Sequence, residues 1–219
     1  MDCILLAAGM GQRMKDPMPK QFIQLAGKPI IVHSLEKLDS IDFIKKIILI
    51  YNKNYKDHYL KILKEYSIET EVVLIEGGDS RQDSVYCGLQ QVKSDRFLLH
   101  EASRPFIFKS IIDKLSQFDE PAVIPTIPVP FTVSEGDTYM TKVLERSNLK
   151  NIQLPQMFDT KVLLDSHKKA KDDEFIATED GILVFKYGEK VKFIEGYENN
   201  IKITTPFDLI IAEHIIRRQ

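Results

Sequence analysis

The sequence predicts an α/β fold in which helices cover both faces of a mainly parallel β-sheet, as in a Rossmann-like three-layer sandwich. Short apolar runs rich in Ile, Val and Leu alternate along the chain with longer amphipathic stretches, and this alternation is typical of βαβ units. The composition is that of an ordinary globular protein, with 43% apolar and 28% charged residues over 219 positions. We therefore expect one domain over residues 1–219.

Apolar runs of four to eight residues predict buried strands, because a strand that is covered on both faces needs no alternation. These runs cover residues 3–8, 44–51, 71–75, 96–100 and 121–127. The amphipathic stretches between and after them predict helices over residues 30–38, 55–66, 81–92 and 108–118.

The same alternation returns near the C-terminal end, with helices predicted over residues 160–170 and 178–187 and a strand over 192–195. The last helix is predicted to begin at Pro206. Thr205 is a good N-cap, proline suits the first helical position, and Asp208 places an acid in the first turn.

Residues 127–152 interrupt the alternation and are predicted to form a protruding β-arm. Three prolines lie between residues 125 and 130, and Ser-Glu-Gly-Asp at 134–137 is a turn signal ahead of a returning strand over 140–145. An arm that leaves a compact domain has to bury its apolar side elsewhere, and a second subunit is the usual place. The sequence therefore predicts a homodimer built through this arm.

Composition and charge exclude several classes of partner. The net charge is −2, and the sequence lacks the stripe of Lys and Arg interleaved with aromatic residues that would indicate nucleic-acid binding. No segment approaches the 18 apolar residues of a membrane span, and the first residues lack the basic segment of a signal peptide. The two cysteines, Cys3 and Cys87, are expected to be buried free thiols in a reducing compartment. These features predict a cytoplasmic protein with no membrane association.

The first predicted strand runs into a loop suited to a polyphosphate. Residues 7–14 read Ala-Ala-Gly-Met-Gly-Gln-Arg-Met, and ligands of open α/β sheets bind beyond the carboxyl ends of the strands. Gly9 and Gly11 permit positive φ angles and let backbone N–H groups approach an anion, while Arg13 and Lys20 add positive charge. The segment lacks the Gly-Lys-Ser/Thr of a P-loop and the third glycine of a dinucleotide fingerprint. A plain glycine turn with solvated charges is the competing interpretation.

This loop and five later segments resemble the methylerythritol phosphate cytidylyltransferases and their ribitol phosphate relatives, within the sugar-nucleotidyltransferase superfamily. The segments are Pro-Lys-Gln at 19–21, Leu-Ala-Gly-Lys-Pro-Ile at 25–30, Gly-Gly-Asp-Ser-Arg-Gln-Asp-Ser-Val at 77–85, Gln-Leu-Pro-Gln-Met-Phe at 153–158 and Asn-Ile-Lys-Ile-Thr-Thr-Pro-Phe-Asp-Leu at 200–209. The resemblance extends from residue 3 to about residue 213. It implies a single nucleotidyltransferase domain.

The resemblance also implies a reaction, in which CMP passes from CTP to a small phosphorylated sugar alcohol and pyrophosphate and a CDP-alcohol are released. Mg²⁺ or another divalent cation would be the cofactor. Catalysis is assigned to Arg13, Lys20 and Lys202, although Lys202 alone would be interpreted as an outward-facing strand lysine. Contact with the nucleotide is assigned to Ala7, Ala8, Gly9, Gly11, Gly78, Asp79 and Ser84. Ser84 has a structural alternative as a capping or core hydroxyl, and Arg81 is expected either to structure this loop or to contact ligand.

The acceptor is assigned, through the same resemblance, to Glu101, Arg104, Thr132, Arg146 and Thr178. Glu101 stands where the family usually has an aspartate, which leaves two roles open, a Mg²⁺ ligand or a contact for acceptor hydroxyls. Arg104 is either an acceptor ligand or a structural ion-pair partner, and Arg146 would reach the acceptor phosphate of the other subunit. Thr178 would cap a helix and meet the acceptor phosphate at its N-terminus.

Most departures from the family pattern fall where the acceptor is expected. Besides Glu101, Phe131 stands in place of an acid and Leu154 in place of a threonine. These departures favour ribitol, glycerol or another polyol phosphate used in a cell wall or capsule over the methylerythritol phosphate of isoprenoid biosynthesis. Two alternatives stay open, a nucleotidyltransferase of the same fold with another nucleotide or a hexose phosphate, and a non-catalytic nucleotide-binding protein. The retained basic residues at 13, 20, 81, 104 and 202 argue against the second.

Overall fold

The computed structural model describes residues 1–218, which contain twelve β-strands and seven α-helices. The strands are β1 (Asp2–Leu6), β2 (Gln24–Leu25), β3 (Lys28–Pro29), β4 (Lys46–Tyr51), β5 (Glu71–Glu76), β6 (Arg96–Glu101), β7 (Ala122–Pro128), β8 (Ser134–Gly136), β9 (Met140–Val143), β10 (Lys150–Ile152), β11 (Gln156–Asp159) and β12 (Val191–Glu195). The helices are α1 (Ile30–Asp39), α2 (Lys56–Glu65), α3 (Arg81–Leu89), α4 (Lys109–Leu115), α5 (Thr160–Asp172), α6 (Asp180–Lys186) and α7 (Pro206–Ile216). None of these helices is long and apolar enough to cross a membrane.

An eight-stranded sheet forms the centre of the protein, in the order β10-β7-β11-β6-β1-β4-β5 with β12 also beside β7. β1 pairs in parallel with β4 and β6, and β4 with β5. β11 and β10 are the antiparallel members. This arrangement confirms the predicted α/β fold with a mainly parallel sheet. Leu6 lies beside Ile50 on one neighbour and Glu101 on the other, so the central parallel strands end at one edge.

Helices cover both faces of this sheet, as the continuous apolar strands require. Successive side chains of a strand point to opposite faces, and in β1 both sets are buried. Cys3 and Leu5 belong to an apolar cluster that includes Leu35 of α1, whereas Ile4 belongs to a second cluster with Val85 of α3. The two clusters confirm the three-layer architecture.

The structure contains a central strand that the sequence pattern did not predict. β11 lies antiparallel between β6 and β7, and its Met157 and Phe158 are fully buried. The strand has only four residues and begins with Gln156 directly after a proline. Such a segment is too short and too polar at its start for the apolar-run criterion, so pairing with two neighbouring strands determines its conformation.

Of the local predictions near the end of the chain, one is wrong and one is confirmed. The helix predicted over 178–187 begins at Asp180, and the residue before it, Glu179, is extended and makes no side-chain cap, so Thr178 does not cap it. Lys202 lies outside the β-strands, so the competing interpretation of an outward-facing strand lysine does not apply. The start of α7 is as predicted, because Thr205 and Asp208 form a reciprocal capping box with Pro206 in the first turn.

The predicted arm is present as an exposed hairpin. β8 and β9 form a separate two-stranded antiparallel sheet, and all of their residues are exposed. Large apolar side chains in this segment are almost fully open, with Phe131 78%, Tyr139 82% and Val143 80% exposed. Its role in dimerisation remains a prediction.

Candidate active site

A cleft of about 660 Å³ opens at the carboxyl-end edge of the central strands. Every residue predicted for catalysis or nucleotide binding lines this cleft, and so does Glu101. The other four predicted acceptor residues do not line it; these are Arg104, Thr132, Arg146 and Thr178. The cleft therefore brings the predicted catalytic and nucleotide residues together with one of the five predicted acceptor residues, and the roles of all of them remain predictions.

Backbone geometry makes Gly11 a requirement of the first loop. Its φ angle is 67°, in the left-handed region, and a Cβ atom there would lie 2.8 Å from Cγ of Lys20. Glycine therefore allows Lys20 to pass close beneath the loop. Gly9 does not adopt a positive φ, so the expectation that both glycines would use this freedom holds only for Gly11.

Three side chains that were given no predicted role hold the first loop in place. Gln21 and Tyr59 both donate hydrogen bonds of 2.6 Å to the carbonyl oxygen of Ala7. Asn52, the residue after β4, donates to the carbonyl of Ala8 at 3.1 Å. Asn52 follows a predicted strand at the edge where ligands bind, which is the signal that could have identified it.

Lys20 connects the first loop to the segment that carries Lys202. Its ammonium donates a 3.0 Å hydrogen bond to the carbonyl oxygen of Ile203. Burial, together with the nearby charges of Lys202 and Arg13, lowers the pKa of Lys20 to about 8 despite the opposing effect of Glu101. A polyanion in the cleft would stabilise the charged form of this lysine.

Glu101 is surrounded by cations. One carboxylate oxygen lies 2.6 Å from the Lys202 ammonium, and the other accepts a 2.9 Å hydrogen bond from Nε of Arg104. Burial alone would raise the pKa of Glu101, but Lys202 and Arg104 lower it to about 2. Arg104 also donates to the carbonyl of Asn200 at 2.8 Å. In this arrangement Arg104 is ion-paired with Glu101 and bonded to the main chain at Asn200, and the same carboxylate contacts Lys202.

The loop between β5 and α3 forms the opposite wall of the cleft. A Cβ atom on Gly78 would lie 2.4 Å from Cβ of Asp83, so only glycine fits there. Ser84 is buried, and its hydroxyl donates a long 3.5 Å bond to the carbonyl of Gly78. Because this hydrogen bond is long and therefore weak, the Ser84 hydroxyl is free to rotate towards a nucleobase in the cleft. Asp79 is exposed in the same loop.

The predicted acceptor residues lie on three separate parts of the chain. Thr132 and Arg146 belong to the exposed arm, where Arg146 donates to the carbonyl of Pro130 at 3.3 Å. Arg146 lines a second, smaller pocket of about 440 Å³ at the base of the arm. Thr178 is exposed in the segment before α6.

Comparison with known proteins confirms the resemblance identified from the motifs. A family model described as 2-C-methyl-D-erythritol 4-phosphate cytidylyltransferase matches residues 1–218. Enzymes of that name from Bacillus cereus and Geobacillus thermodenitrificans are 38% and 36% identical to this chain, over 99% and 98% of it and over 97% and 96% of their own lengths. A 4-diphosphocytidyl-2C-methyl-D-erythritol synthase from Anaerococcus prevotii has a similar structure, with a TM-score of 0.86 and 29% identity over 99% of this chain and 98% of that one. A 2-C-methyl-D-erythritol 4-phosphate cytidylyltransferase from Thermus thermophilus gives a TM-score of 0.79 and 26% identity, over 98% of both chains.

Proposed function

The chain belongs to the 2-C-methyl-D-erythritol 4-phosphate cytidylyltransferase family, and we propose on this basis which acceptor it uses and how its residues act. It is a CTP-dependent cytidylyltransferase. The proposed reaction transfers CMP from CTP to 2-C-methyl-D-erythritol 4-phosphate and releases pyrophosphate. The observation that carries the proposal is the presence of Arg13, Lys20 and Lys202 in one cleft with the glycine turn at 77–78.

The choice of acceptor replaces the preference for a ribitol or glycerol phosphate that the sequence departures favoured. Leu154 is only 1% exposed and packs in an apolar cluster with Phe158, so it presents no surface to a ligand in this conformation. Phe131 lies on the exposed arm and does not line the cleft of its own chain. Of the three departures, only Glu101 lines the cleft. Its carboxylate is already ion-paired with Lys202 and Arg104. Within one chain the departures therefore give little reason to expect an altered acceptor, and Phe131 could contact an acceptor only across a dimer. The named relatives favour methylerythritol phosphate.

In the proposed mechanism an oxygen of the acceptor phosphate attacks the α-phosphorus of CTP in line with the departing pyrophosphate. The P–O bond to pyrophosphate breaks as the new P–O bond forms, so the protein has to align two polyanions and balance their charge. Arg13 and Lys20 would hold the triphosphate, and Lys202 would stabilise charge on the α-phosphate. Glu101 would orient Lys202, and backbone groups around Gly78 would hold cytosine.

Mg²⁺ is the proposed cofactor. The residues of the cleft fit this ion only if phosphate oxygens of the substrate supply most of its ligands. Among residues 1–218 no three His, Cys, Asp or Glu side chains are grouped to hold a metal ion, and both oxygens of Glu101 already contact cations. A cation carried by CTP, with Glu101 as a neighbouring carboxylate, suits this donor set, because Mg²⁺ is commonly held by one or two carboxylates and substrate phosphates. Bound there, Mg²⁺ would neutralise charge on the leaving pyrophosphate.

Pyrophosphate release from CTP and Mg²⁺ with a panel of acceptors tests the proposal. We expect methylerythritol phosphate to give a kcat/KM about tenfold or more above that of ribitol phosphate, glycerol phosphate or a hexose phosphate, since a built polar site discriminates strongly between patterns of hydroxyls. A higher kcat/KM for ribitol or glycerol phosphate would restore the alternative of a polyol phosphate used in a cell wall or capsule. Calorimetric binding of CTP without turnover of any acceptor would instead support a non-catalytic nucleotide-binding protein.

We also propose that the chain is a homodimer held together by the arm at 127–152, within a single nucleotidyltransferase domain. The arm exposes Phe131, Tyr139, Met140 and Val143, and large apolar side chains concentrated in one exposed segment are typical of an interaction site. We expect light scattering to give a dimer mass at micromolar concentration. Replacing Phe131 and Val143 with serine should shift the mass towards a monomer, whereas serine at the exposed Leu60 of α2 should not; a wild-type monomer would refute the proposal.

A further inference from the structure

Arg81 forms a two-pronged ion pair that joins the nucleotide loop to the segment around Thr178. It is the first residue of α3, directly after the loop that contains Gly78. One guanidinium nitrogen lies 2.6 Å from a carboxylate oxygen of Asp180, and another lies 3.2 Å from Glu179. These partners follow Thr178 in the chain, so Arg81 contacts both residues immediately after it.

Gln82 contacts the same segment from the other end. Its amide nitrogen donates to the carbonyl of Phe175 at 3.1 Å, and its amide oxygen accepts a 2.8 Å hydrogen bond from the backbone N–H of Ala177. The first two residues of α3 thus bind residues 175–180 on both sides of Thr178. We call this set of contacts the α3 clamp.

The far side of the α3 clamp contains the buried Asp180 and contacts two further elements. The Asp180 side chain is only 1% exposed, and its second oxygen lies 3.0 Å from Nε2 of His167 in α5. Burial would raise the pKa of Asp180, but Arg81 and His167 lower it. Glu179 receives a further 3.4 Å hydrogen bond from the buried Gln156 of β11. Residues 179 and 180 are therefore tied to α3, α5 and the central sheet.

The nucleotide loop does not depend on the α3 clamp for its own shape. Ser80 and Asp83 form a reciprocal capping box at the start of α3. The N–H of Gly77 donates to the carbonyl of Tyr51 at 2.9 Å, which ties the loop to the end of β4. Loss of the clamp should therefore release residues 175–180 and leave the loop in place.

We propose that Arg81 and Gln82 are positioning residues for the acceptor, which hold Thr178 against the acceptor side of the site without contacting the acceptor themselves. The inference rests on the proposed function and on the assignment of Thr178 to the acceptor through the family resemblance, since Thr178 is exposed and does not line the cleft of its own chain. Arg81 lines the cleft, and the inference adds a second role for it, which is to hold residues 179 and 180.

Two variants test the α3 clamp without leaving a buried charge unpaired. Gln82→Ala removes only neutral hydrogen bonds. The double variant Arg81→Gln with Asp180→Asn replaces both members of the ion pair with amides, since removing Arg81 alone would leave the buried Asp180 carboxylate without its main partner. For both, we expect the acceptor KM to rise about tenfold or more and the CTP KM to change less than about threefold. Arg81→Lys should recover part of the loss, because it keeps the charge but not the fork of donors.

Hydrogen exchange supplies a readout that is independent of activity. In the free enzyme, Gln82→Ala should speed exchange of the backbone amides of residues 175–180, and above all of Ala177. Exchange in residues 77–80 should stay as in the wild type.

Lys46→Gln is the matched control. Lys46 lies 3.2 Å from Asp2, and the two side chains are 12% and 10% exposed, at the opposite end of β4 and β1 from the cleft. This variant should lower the melting temperature and leave both KM values unchanged.

The outcomes separate the inference from the proposed function. A rise in CTP KM equal to that in acceptor KM, or faster exchange in 175–180 with an unchanged acceptor KM, would overturn the positioning role. A wild-type enzyme that turns over no acceptor would refute the proposed function itself, whatever the exchange data show.

Discussion

Lys20→Ala and Lys202→Ala should each reduce kcat at least a hundredfold while the protein still folds. Each ammonium lies in the cleft where phosphate charge has to be balanced, and one preorganised donor to a developing charge contributes roughly 3 kcal/mol. Steady-state pyrophosphate release gives kcat, and circular dichroism with thermal melting reports folding. Lys28→Ala is the matched control, because Lys28 is a nearby lysine that pairs with Glu36 outside the cleft. Near-normal turnover in both active-site variants would show that these lysines are not catalytic.

The contact between Lys20 and the Ile203 carbonyl predicts that the losses of kcat in Lys20→Ala and Lys202→Ala will not be independent. Lys20→Ala removes the 3.0 Å bond that holds the segment next to Lys202, so the position of Lys202 should loosen as well. The double variant should therefore lose less than the product of the two single losses, as is usual for residues that act as a unit.

The pKa of Lys20 gives this assignment a pH signature. Burial lowers the pKa to about 8, so the free enzyme loses this positive charge as the pH rises through that value. The value of kcat/KM for CTP, which reports groups of the free enzyme, should then fall on the alkaline side. Lys20→Arg should move this alkaline fall in kcat/KM to higher pH, because a guanidinium stays charged.

Arg146→Ala should raise the acceptor KM strongly and leave the CTP KM nearly unchanged. Arg146 is exposed on the arm and does not line the cleft of its own chain, so it can serve a site only by crossing to a second subunit. A guanidinium donates two parallel hydrogen bonds to a phosphate, and loss of such a charged contact is worth about tenfold or more in affinity. Lys142→Ala is the control, since Lys142 is an exposed cation on β9 of the same arm.

Mixing Arg146→Ala subunits with Lys20→Ala subunits tests the crossing directly. Each hybrid dimer would contain one site in which both residues are intact, so activity should partly return after subunit exchange. No recovery despite verified exchange would mean that Arg146 serves its own subunit or no site.

Particular residues show where sequence patterns were sufficient. Gly11, Lys20 and Gly78 were predicted from short motifs after strands, and each lies in the cleft because the parallel strands end together. Thr205 was predicted as an N-cap, and it is one, since capping depends on residues within one turn. Roles within the cleft remain predictions until the variants are measured.

Other residues show where such patterns fail. Thr178 looked like a helix cap, but Glu179 is extended between Arg81 and Gln156 and the helix starts later. Leu154 looked like a change in the acceptor site, but its side chain is buried in the apolar interior. In both cases distant partners decided the conformation.

The sequence by itself determined the βαβ framework, the glycine loops at the strand ends and the capped last helix, because periodicity, steric freedom and capping act over a few residues. Only the tertiary structure decided that β11 enters the centre of the sheet, that Lys202 and Arg104 share Glu101, and that α3 clamps residues 175–180. These contacts join residues up to about a hundred positions apart, as between Arg81 and Asp180 with a separation of 99. They depend on strand order and register, which local patterns do not encode, so the same charged residues could be read from the sequence but their partners could not.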